Sequence, residues 1–403
     1  VRIAVFADVW FPDTTGGAGR MATQSSLELA RRGHEVHVVT RNTHRAFPQR
    51  EDVADGVTVH RFPFPGVEAG VVPALRRELR GSVQCFDAIG GPRFDVAVIH
   101  QCLPAFGPYI SGRLRGVPSV YYFHSPWHEE FLIRRLNGVG RVSALTSMAA
   151  WMMHRMERRI IRRSGAVVVL SRYMAGKVTE YHQPPPEKVV RIPGGVDLAR
   201  FRLPEGGRRA ARERLGLPQD KTIFLTVRNL APRMGLENFI EAFAGSEALR
   251  STGYGVIGGR GLLEERLRMQ VREAEVDECI RLWGHVDEEH LPDLYGAADW
   301  FVLPTRVLEG FGLVIPEAWA CGTPVIGTPQ GGIPDVLGTL DGDYVVDGSD
   351  AAALRRKMEE MLSPPAQLAL SPEQLRDHAA EHFSWSLVAD AFESLVRRVA
   401  DEG

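Results

Sequence analysis

Two carboxylates, Glu309 and Glu317, stand eight residues apart in the stretch Pro304-Thr305-Arg306-Val307-Leu308-Glu309-Gly310-Phe311-Gly312-Leu313-Val314-Ile315-Pro316-Glu317. The first precedes a Gly-Phe-Gly loop, and the second falls inside the apolar run that follows. Glycines on both sides of Phe311 let the backbone approach a ligand closely. A helix beginning there directs its unpaired N–H groups at the same point. Such a site suits an anionic, hydroxyl-rich ligand. Glu309 can accept hydrogen bonds from sugar hydroxyls, and Glu317, about two turns into the helix, can reach a ribose. The helix dipole alone also favours acids at a helix start, which is the purely structural alternative.

A second glycine-rich stretch, Gly16-Gly17-Ala18-Gly19-Arg20-Met21-Ala22, follows the apolar run from Ile3 to Val9. Residues 17–22 formally fit G-x-G-x-x-A. The dinucleotide fingerprint, however, needs its first glycine directly after the strand. Here Trp10 to Gly16 intervene, and the next strand ends at Thr40-Arg41 without a ribose-binding acid. What survives is a helix N-terminus able to offer backbone N–H groups to phosphate. The four cysteines, Cys85, Cys102, Cys279 and Cys321, are scattered, with no C-x-x-C and no neighbouring histidine. They suggest neither a disulfide framework nor a zinc site. No D-x-D motif stands out, so metal-independent chemistry is expected.

These residues need a scaffold, and the pattern around them supplies one. Strands are expected at Glu35–Thr40, Phe94–His100, Pro118–Phe123 and Ala166–Leu170, alternating with helical stretches. A second series follows at Thr222–Val227, Tyr254–Ile257, Ile280–Trp283, Trp300–Leu303 and Pro324–Ile326. Alternation of this kind means a parallel sheet covered by helices on both faces. The fold class is therefore α/β, with two units of similar size joined near residues 193–203. The division is expected at 1–195 and 196–385, with a closing helix, 386–403, crossing back onto the first unit. Segment 41–93 and the run Pro184-Pro185-Pro186 do not resolve into this rhythm.

At 403 residues, with 44% hydrophobic and 24% charged residues, the chain has the proportions of a globular protein of two or three domains. No run of about 18 apolar residues occurs, and the opening Val1–Ala7 run is cut short by Asp8, so neither a bilayer span nor a secretory segment is expected. A reducing cytoplasm is the expected compartment. Residues 1–200 hold 27 of the 48 Lys and Arg but 17 of the 50 Asp and Glu, so a basic half precedes an acidic one. In Trp151–Arg163, Met152, Met156 and Ile160 recur at helical spacing opposite five arginines. A core helix with a solvated back is favoured there over peripheral membrane contact. No aromatic-and-basic constellation points to nucleic acid.

Taken in order, the motifs resemble the retaining nucleotide-sugar glycosyltransferases of the GT-B fold, family 4. The resemblance rests on Glu309-Gly310-Phe311-Gly312-Leu313, Pro316-Glu317-Ala318, Ala320-Cys321-Gly322-Thr323-Pro324-Val325-Ile326, Phe123-His124-Ser125-Pro126-Trp127, Ile192-Pro193-Gly194-Gly195-Val196-Asp197 and Gly331-Gly332-Ile333-Pro334-Asp335. It implies two Rossmann-like domains facing each other across a cleft. The first would bind the acceptor and the second a nucleoside-diphosphate sugar, UDP rather than GDP. No cofactor beyond that co-substrate and no metal is implied.

The resemblance also implies roles. Glu309 would contact the donor sugar, Glu317 the ribose, and the backbone of Phe311, Gly312 and Leu313 the sugar and phosphate. Gly16 and Gly17 would approach the diphosphate, His124 the reacting sugar, and Leu282, Trp283 and Gly284 the nucleobase. The family's G-R-L-x-x-x-K-G is altered: Asn229 and Met234 stand where its Arg and Lys are expected, with Arg228 and Arg233 one residue earlier. Because a departing diphosphate needs cationic stabilisation, these two arginines are expected to compensate. The family's G-D-G-P is replaced by Gly258-Gly259-Arg260-Gly261. The alternatives are a nucleotide-sugar epimerase of the same fold and a non-catalytic sugar-nucleotide-binding protein. The acceptor, whether natural product, polysaccharide, lipid or small metabolite, is left open.

Overall fold

The computed structural model describes residues 1–13, 16–43, 47–64, 71–136 and 143–403. The chain divides into two compact units. One holds Val1–Arg135, Arg141–Gly194 and Trp385–Gly403, and the other is built on Gly195–Ser384.

The first unit is an eight-stranded sheet. Its strands are β1 (Arg2–Ala7), β2 (Glu35–Asn42), β3 (Arg50–Ala54), β4 (Val57–Pro63), β5 (Val96–Ile99), β6 (Ser119–Phe123), β7 (Ala166–Val169) and β8 (Val189–Arg191), in the order β3-β4-β2-β1-β5-β6-β7-β8. All neighbours run parallel except the antiparallel edge pair β3 and β4. The central strands β1, β5 and β7 are buried along their whole length. That burial is why they read as continuous apolar runs rather than alternating ones. The edge strand β3, Arg-Glu-Asp-Val-Ala, is almost wholly exposed. It therefore carries no apolar signal, which explains why segment 41–93 does not resolve from sequence.

Helix Trp385–Glu402 belongs to this first unit. Phe392 meets Tyr122 of β6 edge-on, with ring centroids 5.7 Å apart. At its rim, Glu393 takes His34 Nε2 at 3.0 Å and Arg32 Nε at 3.2 Å.

In helix Ala144–Arg163 the buried face runs through Ala150, Glu157, Ile160 and Ile161. Met152, expected on that face, is 41% exposed, as are its neighbours Leu145, Met148 and Trp151 to a greater degree. The stripe turns because the helix buries a carboxylate. Glu157 accepts from Tyr121 Oη at 2.8 Å and pairs with His182 Nε2 at 3.0 Å.

The second unit is a five-stranded parallel sheet: β9 (Thr222–Val227), β10 (Gly253–Gly258), β11 (Ile280–Gly284), β12 (Trp300–Leu303) and β13 (Val325–Gly327), in the order β11-β10-β9-β12-β13. Its chain entry and exit lie side by side, since Val196 N–H donates to Phe383 O at 2.7 Å. Among the described residues, no helix is long and apolar enough to cross a membrane.

Candidate active site

In an open parallel sheet, ligands gather beyond the strand C-termini where the strand order reverses direction. In the second unit that point lies between β9 and β12. β9 ends at Val227, so the next residue is Arg228, and β12 ends at Leu303, immediately before Pro304-Thr305. The two segments meet through a closed set of polar contacts. Arg228 Nη2 donates to Glu309 Oε2, and Arg228 Nη1 lies 3.3 Å from Thr305 Oγ1. The side chains of Arg228 and Glu309 are only 7% and 13% exposed. Burial pushes the Glu309 carboxyl upward, but the guanidiniums of Arg228 and Arg233, with hydrogen bonds from Arg228 and Thr305, outweigh it. The carboxyl is held below the ordinary glutamate value.

The backbone around this pair is tightly constrained. Leu308, directly before Glu309, is buried and left-handed, with φ 55°. A branched-chain residue in that region is strained. Arg233 Nη1 secures the turn by donating to Leu308 O at 2.8 Å. Gly332 N–H donates to Glu309 O at 2.8 Å. The adjacent Gly331 has φ 62°, and a Cβ there would lie 2.0 Å from the same oxygen. Behind Arg228, a Cβ on Gly259 would lie 1.8 Å from the Arg228 carbonyl. Only glycine fits at either place.

Past Glu309, Phe311 is buried edge-on against Phe383, with ring centroids 5.8 Å apart. Gly312, at φ 87°, delays the helix, which starts at Val314 with Leu313 as its N-cap. Glu317 consequently sits in the first turn rather than two turns in. It is 7% exposed and accepts from Tyr295 Oη at 2.9 Å. Asn229 is exposed and Met234 buried. Leu282, Trp283 and Gly284, at the end of the edge strand β11, are half-buried, with Arg281 stacked 4.1 Å over the Trp283 ring. Gly259 N–H donates to Gly284 O at 2.7 Å, tying that segment to the Arg228 side.

The first unit reverses its strand order between β1 and β5. Beyond β1, Asp8 receives Arg41 Nη1 at 3.3 Å on Oδ2, while Gln101 Oε1, just past β5, accepts the Asp8 N–H at 2.8 Å. Arg41 Nε also donates to Glu78 Oε1 at 2.5 Å. Burial raises both carboxyls, that of Glu78 to about 7. Gly16, at φ 143°, caps the helix that Gly17 begins. His124, just past β6, stacks with Tyr122 and His100 at centroid distances of 4.9 and 5.3 Å. Its Nε2 lies 3.0 Å from His100 Nδ1.

Among the described residues, no group of three His, Cys, Asp or Glu side chains is placed to hold a metal ion. The D-x-D spacing does occur once, at Asp341-Gly342-Asp343. There Asp341 caps a short turn, its Oδ1 accepting the Asp343 N–H at 2.8 Å.

Residues 15–200 match the Glycosyltransferase Family 4 domain, and residues 207–381 match the Glycosyl transferases group 1 domain. The D-inositol 3-phosphate glycosyltransferase of Mycolicibacterium paratuberculosis is 30% identical, over 100% of this chain and 91% of its own length. That of Streptomyces scabiei is 30% identical over 94% and 86%. The chain belongs to glycosyltransferase family 4. Its GT-B architecture is seen in solved structures as well. Sucrose-phosphate synthase from Thermosynechococcus elongatus superposes with a TM-score of 0.83 at 22% identity, covering 100% of both chains. Anabaena HepE in complex with UDP and glucose superposes with a TM-score of 0.72 at 16% identity, covering 98% and 99%.

For a family 4 glycosyltransferase, the sequence reading named Glu309, Arg228 and Arg233 one by one, and the fold brings them together. It passed over Thr305, Tyr295, Leu308 and His100. Thr305 stood two residues after an expected strand, where position alone marked it. Tyr295 lies twenty-two residues before Glu317, on another helix, and no spacing rule connects them.

Proposed function

We propose that this glycosyltransferase moves a sugar from a nucleoside-diphosphate sugar, UDP rather than GDP, to an acceptor hydroxyl with retention at the anomeric carbon and without a metal. The observation that carries the reading is the buried Arg228–Glu309 pair with Arg233 beside it, at the switch point of the second unit. Two guanidiniums gathered at this point supply the cationic stabilisation that a departing diphosphate requires. Glu309 already accepts from Arg228 and Thr305, two of the roughly four hydrogen bonds a carboxylate can take. It is still able to accept from a sugar hydroxyl, but with its carboxyl held below the ordinary glutamate value it is a poor nucleophile. That argues against double displacement, in which a free carboxylate, about 5 Å from a partner acid, attacks the anomeric carbon. A front-face reaction remains, in which the leaving phosphate takes the acceptor's proton and the protein's task is positioning.

In this reading Glu309 orients the sugar, and Arg228 and Arg233 act on the diphosphate, Arg228 through its hold on Glu309 as well. Glu317, braced by Tyr295, holds the ribose, and Trp283 with Leu282 and Gly284 meets the base. The backbone N–H groups of Phe311, Gly312 and Leu313 serve the sugar and phosphate. The acceptor belongs to the C-terminal edge of the first unit's sheet. The UDP of the HepE complex supports the choice of nucleotide, and the curated relatives suggest a phosphorylated polyol acceptor such as D-inositol 3-phosphate.

The test is a thermal-shift comparison of UDP, GDP and ADP, followed by transfer assays with UDP- and GDP-sugars and myo-inositol 3-phosphate. UDP is expected to stabilise most, and the anomeric coupling constant of the product is expected to match the donor's configuration. An inverted product, or donor isomerisation without acceptor, overturns the reading.

A further inference from the structure

The hydrogen bonds beneath His124 can be followed to a definite proton arrangement. Ser25 Oγ lies 2.6 Å from Met21 O and 3.2 Å from Ala22 O, so its single proton is committed to the helix backbone. Toward His100 Nε2, 3.5 Å away, Ser25 offers only lone pairs. His100 is 2% exposed, and its burial, with His124 beside it, keeps the ring neutral. A neutral imidazole carries one N–H. If that proton sat on Nδ1, the Nε2 lone pair would face the Ser25 lone pairs in a buried place. The proton therefore belongs on His100 Nε2, and His100 Nδ1 is an acceptor.

Its partner, His124 Nε2 at 3.0 Å, must then be the donor. His124 is itself neutral near pH 7, since burial drops its pKa to about 4. With its one proton spent on His100, its Nδ1 presents a lone pair and has no protein partner among the described residues. A phosphate or carboxylate oxygen brought to that nitrogen would set lone pair against lone pair. A hydroxyl, which can donate, fits.

We propose that Ser25 and His100 are positioning residues that hold His124 in its Nε2–H tautomer, so that Nδ1 accepts a hydrogen bond from a hydroxyl of the bound sugar or polyol. The hydroxyl's identity rests on the glycosyltransferase reading above; the tautomer does not. The order of donation runs ligand hydroxyl to His124, His124 to His100, His100 to Ser25, and Ser25 to the Met21 carbonyl. Each link fixes the next, as outer partners fix the tautomer of a functional histidine generally. The stacking of the His100, Tyr122 and His124 rings keeps both imidazoles in plane for this exchange, with 13° between His100 and Tyr122 and 15° between Tyr122 and His124.

Ring-nitrogen NMR of the full chain labelled with 15N-histidine reads the tautomer without any substrate, with the His124 signals assigned by their loss in His124→Phe. The expected result is a protonated Nε2 and an unprotonated Nδ1 at pH 7.5; a protonated Nδ1 overturns the proposal. The kinetic arm uses two replacements. His100→Phe keeps the stack and volume but removes the acceptor, and kcat is expected to fall roughly ten- to hundredfold with the donor KM within about twofold. His100→Asn, whose Oδ1 stands near the place of Nδ1, should recover most of that loss. Equal rates for wild type and His100→Phe, or an Asn variant as slow as the Phe variant, mean a packing role only and overturn the proposal. Deoxy analogues of the donor sugar and of myo-inositol 3-phosphate tell which molecule bears the hydroxyl. If no donor is turned over at all, the glycosyltransferase reading fails, and the NMR result still decides the tautomer.

Discussion

Arg228 has two partners that cannot do without it. Replacing it with alanine leaves Glu309 buried beside Thr305 with its main counter-charge gone, a change that costs about 3–5 kcal/mol when a buried pair is broken. Turnover is expected to fall with stability. Glu309→Gln lowers kcat because it disturbs the reacting sugar. In the double variant the stability losses should be clearly less than additive, by roughly 1–3 kcal/mol, as urea unfolding would show. The pH dependence follows from the carboxyl's lowered pKa. Such a group adds stability above its unfolded pKa and loses it as pH falls through the folded value. The gap between wild type and Arg228→Ala should therefore narrow on acidification toward pH 4. Glu317→Gln and Tyr295→Phe belong to a different class. Both act on a contact made equally before and during reaction, so both should raise the donor KM and spare kcat in steady-state assays.

At the scale of elements, the loops at the ends of β9 and β12 are held by close backbone contact as well as by the long side chains of Arg228 and Arg233. Gly331→Ala would press a methyl group to 2.0 Å from the Glu309 carbonyl in a left-handed conformation. The loop must shift, and activity should drop by more than tenfold while the far-ultraviolet circular dichroism is unchanged. Phe392→Ala on the closing helix acts on the first unit instead. Emptying the space against Tyr122 should cost about 3–5 kcal/mol, readable as a lowered Tm.

These elements differ in how plainly the sequence announces them. Thr222–Val227 and Trp300–Leu303 were legible to the residue, because a strand buried on both faces leaves an unbroken apolar run between polar turns. β3 was not, because an exposed edge strand has no such run. Glu309 and Glu317 were legible through their glycine-rich setting. The Ser25–His100–His124 line was not, since it joins three separate elements that only the folded sheet brings together.

The whole molecule carries a reserve of buried neutral histidines, and that reserve sets its behaviour in acid. His60 is 8% exposed, and burial, with His37 and Arg50 nearby, lowers its pKa to about 4. Between its unfolded value near 6.5 and the folded value near 4, the unfolded chain binds the proton and the folded chain does not. Stability therefore falls as pH drops through that window, by roughly 1–3 kcal/mol from this residue. His124 adds in the same direction. Glu78, raised to about 7, works oppositely: its contribution is present below the unfolded glutamate value and is lost as pH rises through 7. To isolate the histidine, Tm at pH 7 and pH 5 is compared in wild type and His60→Asn, and the variant should lose fewer degrees between the two.

The bond from Val196 to Phe383 makes the second unit an insert whose two ends meet at one point. On the ribosome, the first unit's sheet is complete by Val189–Arg191, yet the helix that covers β6 emerges only after the whole insert has been made. For that interval the sheet waits with Tyr122 uncovered, and the insert has the opportunity to fold first. The same arrangement makes the insert removable. Joining Gly194 to Trp385 through a few glycines should yield a soluble first unit with its closing helix seated, whereas residues 1–194 alone should aggregate until the peptide Trp385–Gly403 is supplied separately.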